Sequence, residues 1–239
     1  MKPEVHPDPR RANEAAAEHL AGLLMRPGAR AIMVAAGNTP IDLYRAITLR
    51  KLSLSHLQVF ALDEYVGVPS EEPRNCGNLL RGAVAAAWGI PRDRFHAISS
   101  RTEDAAESVR KHERLIAELG GLDVTVLGLG QNGHLGFNEP GSPPDGDGRL
   151  LDLEPISTEA NRVWFEGRYA PSQGVTVGLR TILASRSIVL LAFGAHKTAA
   201  VRRMVRGPQE ASCPASWLQD HPDARVYLDT AAAAGLDRR

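Results

Sequence analysis

The sequence predicts an α/β protein: one domain spanning residues 1–239, a three-layer α/β/α sandwich around a mostly parallel, Rossmann-like central sheet. Short apolar runs, too brief for helices, alternate with longer segments whose apolar residues recur at helical spacing. The connections between them are short, as in βαβ units whose crossover helices cover both faces of a sheet. The chain is long enough to bury one large core, and it contains no internal repeat or low-complexity tract.

The elements follow in order. From Asn13 to Met25, Ala16, Leu20, Leu23 and Leu24 share a helical face that ends before Pro27-Gly28. Ala31 to Ala35 reads as a buried strand. Gly37-Asn38-Thr39-Pro40 then turns into a helix with Thr39 as N-cap and Pro40 as its first residue. Leu57 to Leu62 is the next strand and delivers Asp63-Glu64-Tyr65. Asn78 to Trp88 reads as a helix, Phe95 to Ile98 as a small strand, and Thr102 caps a helix that stops at Gly120-Gly121. Val124 to Leu127 is a strand, followed by a glycine-rich loop and the Pro/Gly-rich segment to Gly148, a candidate lid or binding loop. Leu150 to Leu153, Gly174 to Gly178, Ser187 to Phe193 and Arg225 to Leu228 read as strands. Helices are expected over Thr158 to Phe165 and His196 to Val205, with a helical turn at Ala215 to Leu218 and a last helix starting at Thr230.

Composition excludes several classes. Lys and Arg balance Asp and Glu at a formal charge of zero, so no global electrostatic footprint calls for nucleic acid or an anionic membrane. No apolar window approaches a membrane span, and the first apolar run is broken by Glu18 and His19, which argues against a signal sequence. Two distant cysteines, Cys76 and Cys213, make neither a disulfide framework nor a zinc motif, so a reducing cytoplasm is the expected compartment. No metal-ligand spacing is present, and no metal is expected.

The organising stretch runs from Gly128 to Pro140 with Gly128, Gly130, Gly133 and Gly136 at its turns. Gly128-x-Gly130-x-x-Gly133 matches a dinucleotide fingerprint in form, but the prolines and glycines that follow cannot propagate the required helix. No nucleotide cofactor is expected. Gly37-Asn38-Thr39, between a strand and a helix, is a candidate anion site, since free N–H groups and the helix dipole converge there. Lys197 opens a later helix, where the dipole disfavours a cation unless an anion is bound. Arg162 is a second candidate clamp, with an ordinary surface role as the alternative. Asp63 and Glu64 point to opposite faces of a strand, so only one can enter a given pocket. Either can serve as a general base if burial raises its pKa. His134 is the one histidine of eight flanked by this glycine loop, and Glu139 is placed to fix its tautomer. His6, His19, His56, His112 and His221 read as surface or helix residues.

Gly-x-Gly-x-Asn-Gly-His-x-x-Phe-Asn-Glu-Pro, with the upstream Asp-Glu-Tyr-Val-Gly and Gly-x-Thr-Pro segments, resembles the glucosamine-6-phosphate deaminase family, related to the 6-phosphogluconolactonases. The resemblance implies isomerisation coupled to deamination: glucosamine 6-phosphate and water giving fructose 6-phosphate and ammonia, with a sugar phosphate as the partner and no cofactor. It further implies that Asp63 moves a proton between C2 and C1. His134, oriented by Glu139 and Asn132, assists ring opening, and Gly37, Asn38, Thr39, Arg162 and Lys197 bind phosphate. Three departures accompany it. Asn132 stands where Asp is common, Ala36 stands where a hydroxyl residue is common, and Gly141 to Gly148 differs from the usual basic run. With a short C-terminus, the last departure predicts no allosteric control, leaving Arg149 as a remnant. Lactone hydrolysis and non-catalytic sugar-phosphate sensing are the rival readings. Oligomeric state is not readable, and a homo-oligomer stays open.

Overall fold

The computed structural model describes residues 1–236. Its elements are β1 (Lys2–His6), α1 (Pro9–Leu24), β2 (Ala31–Val34), α2 (Asn38–Leu49), β3 (Gln58–Ala61), β4 (Asp63–Val66), α3 (Cys76–Leu80), β5 (Phe95–His96) and α4 (Thr102–Glu118). They continue with β6 (Val124–Gly128), β7 (Arg149–Asp152), α5 (Pro155–Trp164), β8 (Gln173–Thr176), α6 (Leu179–Leu183), β9 (Ser187–Ala192), α7 (Thr198–Arg206), β10 (Ala224–Asp229) and α8 (Thr230–Ala233). No helix among the described residues is long and apolar enough to cross a membrane.

Seven strands form a parallel sheet in the order β1-β10-β9-β6-β2-β3-β5. Alternation along its strands feeds two cores. In β9, Ile188, Leu190 and Ala192 join one core with Val109, Ile116, Val201 and Met204 from α4 and α7. Val189 and Leu191 join the other with Leu20, Leu24, Leu43 and Ile47 from α1 and α2. This is the three-layer arrangement expected of strands buried on both faces.

The chain runs one way from β2 to β3 and β5, and the other way from β6 through β9 to β10. The sheet therefore switches direction between β2 and β6. Loops leaving the carboxyl ends of these two strands diverge there and leave a crevice.

Four local expectations are corrected. Leu57 to Leu62 does not carry Asp63-Glu64-Tyr65 onward in the same sheet. Leu62 N still bonds Val34 O, but from Asp63 the backbone crosses to a second, antiparallel sheet of order β4-β8-β7. Residues 2–6, where the sequence suggests no element, pair with β10 as the sheet's edge. Helix α2 begins two residues earlier than expected: Gly37 is its N-cap, at a positive φ of 108° that a side chain disfavours, and Asn38 is its first residue. Thr102 is likewise the first residue of α4, with Arg101 at the cap.

Candidate active site

At the switch point lies a cavity of about 850 Å³. Its floor comes from the carboxyl ends of four adjacent strands. Ala35 to Pro40 follows β2, Leu62 and Asp63 follow β3, Gly128 to Gln131 with His134 follows β6, and Phe193, His196 and Lys197 follow β9. One wall is α5, which presents Ile156, Ser157, Ala160, Asn161, Val163 and Trp164.

The glycine loop holds His134 through hydrogen bonds that begin in the motif itself. Asn138 is fully buried, and its Nδ2 donates to Leu135 O at 3.0 Å and Val177 O at 2.9 Å. Phe137 N donates to Thr176 Oγ1 at 3.2 Å, and its ring packs against Tyr65 at 5.2 Å between centroids. The loop is thereby pinned to β8. Gly133, at φ 91°, allows the tight turn closed by Gly133 N to Gly130 O. Gly128 and Gly130 need no left-handed backbone, contrary to the expectation from their spacing.

Behind the imidazole, Glu139 is 4% exposed. Its Oε2 lies 3.3 Å from His134 Nδ1 and accepts from Asn132 Nδ2 at 2.6 Å. Asn132 Oδ1 in turn accepts from His134 N at 3.2 Å. Glu139 Oε1 is buried with no partner among the described residues, so the donors gather on the one oxygen that faces the ring. Burial works to raise the Glu139 carboxyl, but His134, Ser157 and Asn132 outweigh it and hold it below the ordinary range. Asn132 suits this place because it donates. An aspartate there would set a second carboxylate against Glu139. Neither Asn132 nor Glu139 lines the cavity; of the three, His134 alone reaches it.

Asp63 lines the cavity and Glu64 does not, as opposite strand faces require. Asp63 is 8% exposed, and its carboxyl is raised to about 7, first by burial and then by the Glu64 charge, against a smaller lowering by the Cys76 thiol. Lys197 sits in a short helical turn just before α7 and is half-buried, and loss of solvent lowers its pKa. A half-buried ammonium without a carboxylate partner among the described residues favours an anion in the cavity. Gly37, Asn38 and Thr39 line the same cavity at the start of α2, where unpaired N–H groups are found.

The structure places Arg162 outside the group that meets in the cavity. It is exposed, ion-paired with Glu159 at 2.5 Å, and absent from the cavity lining. Helical phase explains this: Asn161 and Val163 turn toward the cavity, while Arg162 shares the outer face with Glu159 three residues earlier. His112 is a helix residue, as expected, and His221 is not at the surface; each is buried with Nε2 on a backbone carbonyl, Ala61 O and Ser185 O. His19 is half-buried against the Tyr227 hydroxyl at 2.9 Å. The segment from Gly141 to Gly148 contributes nothing to the cavity lining and is tied down, with Gly146 O accepting from Arg180 N. Arg149 braces the same region by donating to Asn138 Oδ1 and Ser142 Oγ.

Three cavity groups gave no signal in the sequence. Ser157 brings a hydroxyl within 3.4 Å of His134 Nδ1. Cys76 lies beside both carboxylates. Arg74 clasps the end of α5, donating to Trp164 O and pairing with Glu166, while Trp164 Nε1 donates back to Arg74 O at 3.0 Å. Arg168 closes the same seam onto Glu72 at 2.9 and 3.1 Å.

Comparison with known proteins agrees with this geometry. The family model described as glucosamine-6-phosphate isomerases/6-phosphogluconolactonase matches residues 9–227. The chain is 37% identical over 241 residues to the glucosamine-6-phosphate deaminase of Rhodopirellula baltica, covering 99% of this chain and 96% of that one. It is 38% identical over 242 residues to that of Streptomyces avermitilis, covering 99% and 93%. A solved monomeric glucosamine-6-phosphate deaminase superposes with a TM-score of 0.93 at 29% identity, over 98% of this chain and all (100%) of that one. The 6-phosphogluconolactonase from Trypanosoma cruzi superposes at 0.81 with 22% identity, over 99% and 97%, a likeness of fold alone.

Proposed function

The chain belongs to the glucosamine-6-phosphate isomerase/6-phosphogluconolactonase family, and we propose that within it this protein converts glucosamine 6-phosphate and water to fructose 6-phosphate and ammonia. The observation that carries this reading is one cavity uniting an anion site, a buried carboxyl and a carboxylate-backed histidine.

The phosphate sits at the start of α2, on Gly37, Asn38 and Thr39, with Lys197 as its cation. Arg162 is left out of this reading, because its guanidinium faces outward and pairs with Glu159. With Nδ1 committed to Glu139, His134 offers Nε2 to the sugar. It takes the O1 proton and returns it to O5 as the C1–O5 bond breaks, leaving an open-chain aldehyde. Glu139 carries the complementary charge for the transient imidazolium, with Asn132 and Ser157 holding the pair in place.

Asp63 then removes the C2 proton while the C1 carbonyl oxygen is protonated, giving an enolamine. Return of that proton to C1 leaves an imine at C2. Water adds there and ammonia departs, so the nitrogen lost and the oxygen gained balance. The net reaction is a hydrolytic deamination coupled to an aldose–ketose shift. A base with a carboxyl raised to about 7 matches removal of a weakly acidic C–H at neutral pH. Every group named comes from a single chain. Two unpaired, buried cysteines suit a reducing compartment, and we assign the protein to the cytoplasm.

The test is direct. Purified protein is offered glucosamine 6-phosphate while ammonia and fructose 6-phosphate are followed, with 6-phosphogluconolactone in parallel. Both products should form in equal amounts. Silence on the amino sugar with rapid lactone hydrolysis would refute the reading.

A further inference from the structure

Glu64 adjoins the proposed base yet stays out of its cavity. It is 3% exposed, and three backbone N–H groups converge on it. Oε1 accepts from Tyr65 N at 2.8 Å and Cys76 N at 2.9 Å, and Oε2 accepts from Gly77 N at 2.8 Å. Cys76 and Gly77 open α3, whose helical path continues through Ala86, so these are the unpaired donors of a helix start. Asp63 receives no backbone N–H on its carboxyl among the described residues. Of two adjacent buried carboxyls, only one has a site built for an anion.

We propose that Glu64 is a positioning residue for the reaction: held as a buried anion by the start of α3, it keeps negative charge beside Asp63 and so strengthens Asp63 as a base. This rests on the reading of Asp63 as the base.

The surroundings support that division of roles. Burial lifts Glu64 to about 7 as well, but its three N–H donors pull the other way. Because those donors act on Glu64, the first ionisation of the pair falls there. Tyr44 from α2, Tyr65 from β4 and Cys76 from α3 also face Asp63, and burial raises all three well above their ordinary values, so they stay neutral. Arg74, His134 and Lys197 share the cavity with Asp63. On the far side of β4, Arg81 and Arg101 share a small cavity with Glu64, and Arg101 is paired with Glu103 and Asp104.

The experiment is the pH profile of kcat/KM for Glu64→Gln. Asp63 must be ionised to act, so activity climbs as pH rises through the Asp63 pKa. Removing a neighbouring anion lowers that pKa, and the acid limb should move down by about one pH unit. An unmoved limb in a variant with wild-type circular dichroism and Tm overturns the proposal. If the variant does not fold, carboxyl ¹³C NMR of the wild-type protein decides: Glu64 should ionise below Asp63, and the reverse order overturns it. Failure of the underlying reading is separable. If Asp63→Asn retains wild-type turnover, Asp63 is not the base, while the NMR titration still tests whether Glu64 shifts it.

Discussion

Gly130→Ala isolates the placement of His134 from everything else in the loop. Gly130 has no positive φ, so alanine meets no backbone objection. Its Cβ, however, would stand 2.3 Å from Cδ2 and 2.4 Å from both Cγ and Nε2 of the His134 ring. Ordinary contact begins at 3.4 Å, so the imidazole has to retreat by about 1.1 Å. Nδ1 sits 3.3 Å from Glu139 Oε2, and a shift of that size breaks or misaligns the contact. Misplacing a reacting group by ~1 Å costs on the order of 10²-fold in rate. The side chain of His134 is 20% exposed and has room to swing outward, so overpacking should cost no more than about 1–3 kcal/mol. The expected outcome is kcat lower by ~10²-fold in steady-state ammonia release, with KM within about threefold and a folded protein by thermal melt. A folded variant with kcat within threefold of wild type would refute the ring placement or the role given to it.

The other substitutions divide along the same lines. Asp63→Asn should lower kcat by at least ~10²-fold with little change in KM, because it removes the base while keeping the shape; a KM effect alone would reassign Asp63 to binding. Lys197→Ala should raise KM by roughly 10- to 100-fold, the size of one lost charge-assisted hydrogen bond to phosphate, and an unchanged KM removes Lys197 from the site. Arg162→Ala should leave kcat and KM within about twofold, since its partner is Glu159 at the surface; a large rise in KM would mean that α5 turns this arginine inward when substrate binds.

The parallel sheet was legible because its strands are buried on both faces and read as continuous apolar runs between helical segments. The cavity floor was legible too, since it consists of the loops that directly follow those runs. What escaped notice depends on partners distant in the chain. β1 is an edge strand with exposed Pro3 and Val5, so its alternation carries little hydrophobic signal. Only Leu62 separates the end of β3 from the start of the second sheet, with no turn to announce it. The direction of Arg162 was not legible because it depends on helical phase: α5 runs from Pro155 to Trp164, and a residue flanked by two cavity-lining positions still faces outward. His221 was misread because one backbone carbonyl is enough to satisfy a buried imidazole, and no local pattern announces it.

The crossing at Leu62 also sets how the two halves of the chemistry are measured against each other. Asp63 pairs with Thr176 of β8, and Thr176 Oγ1 accepts from Phe137 N while Val177 O accepts from Asn138. The base and the histidine loop are thus gauged from the same two residues rather than from the separate strands that deliver them. When the large sheet flexes or changes twist, β3 and β6 shift relative to one another, but both reacting groups travel with their common reference. The small antiparallel sheet acts as a jig, keeping the distance between base and imidazole independent of the scaffold beneath it.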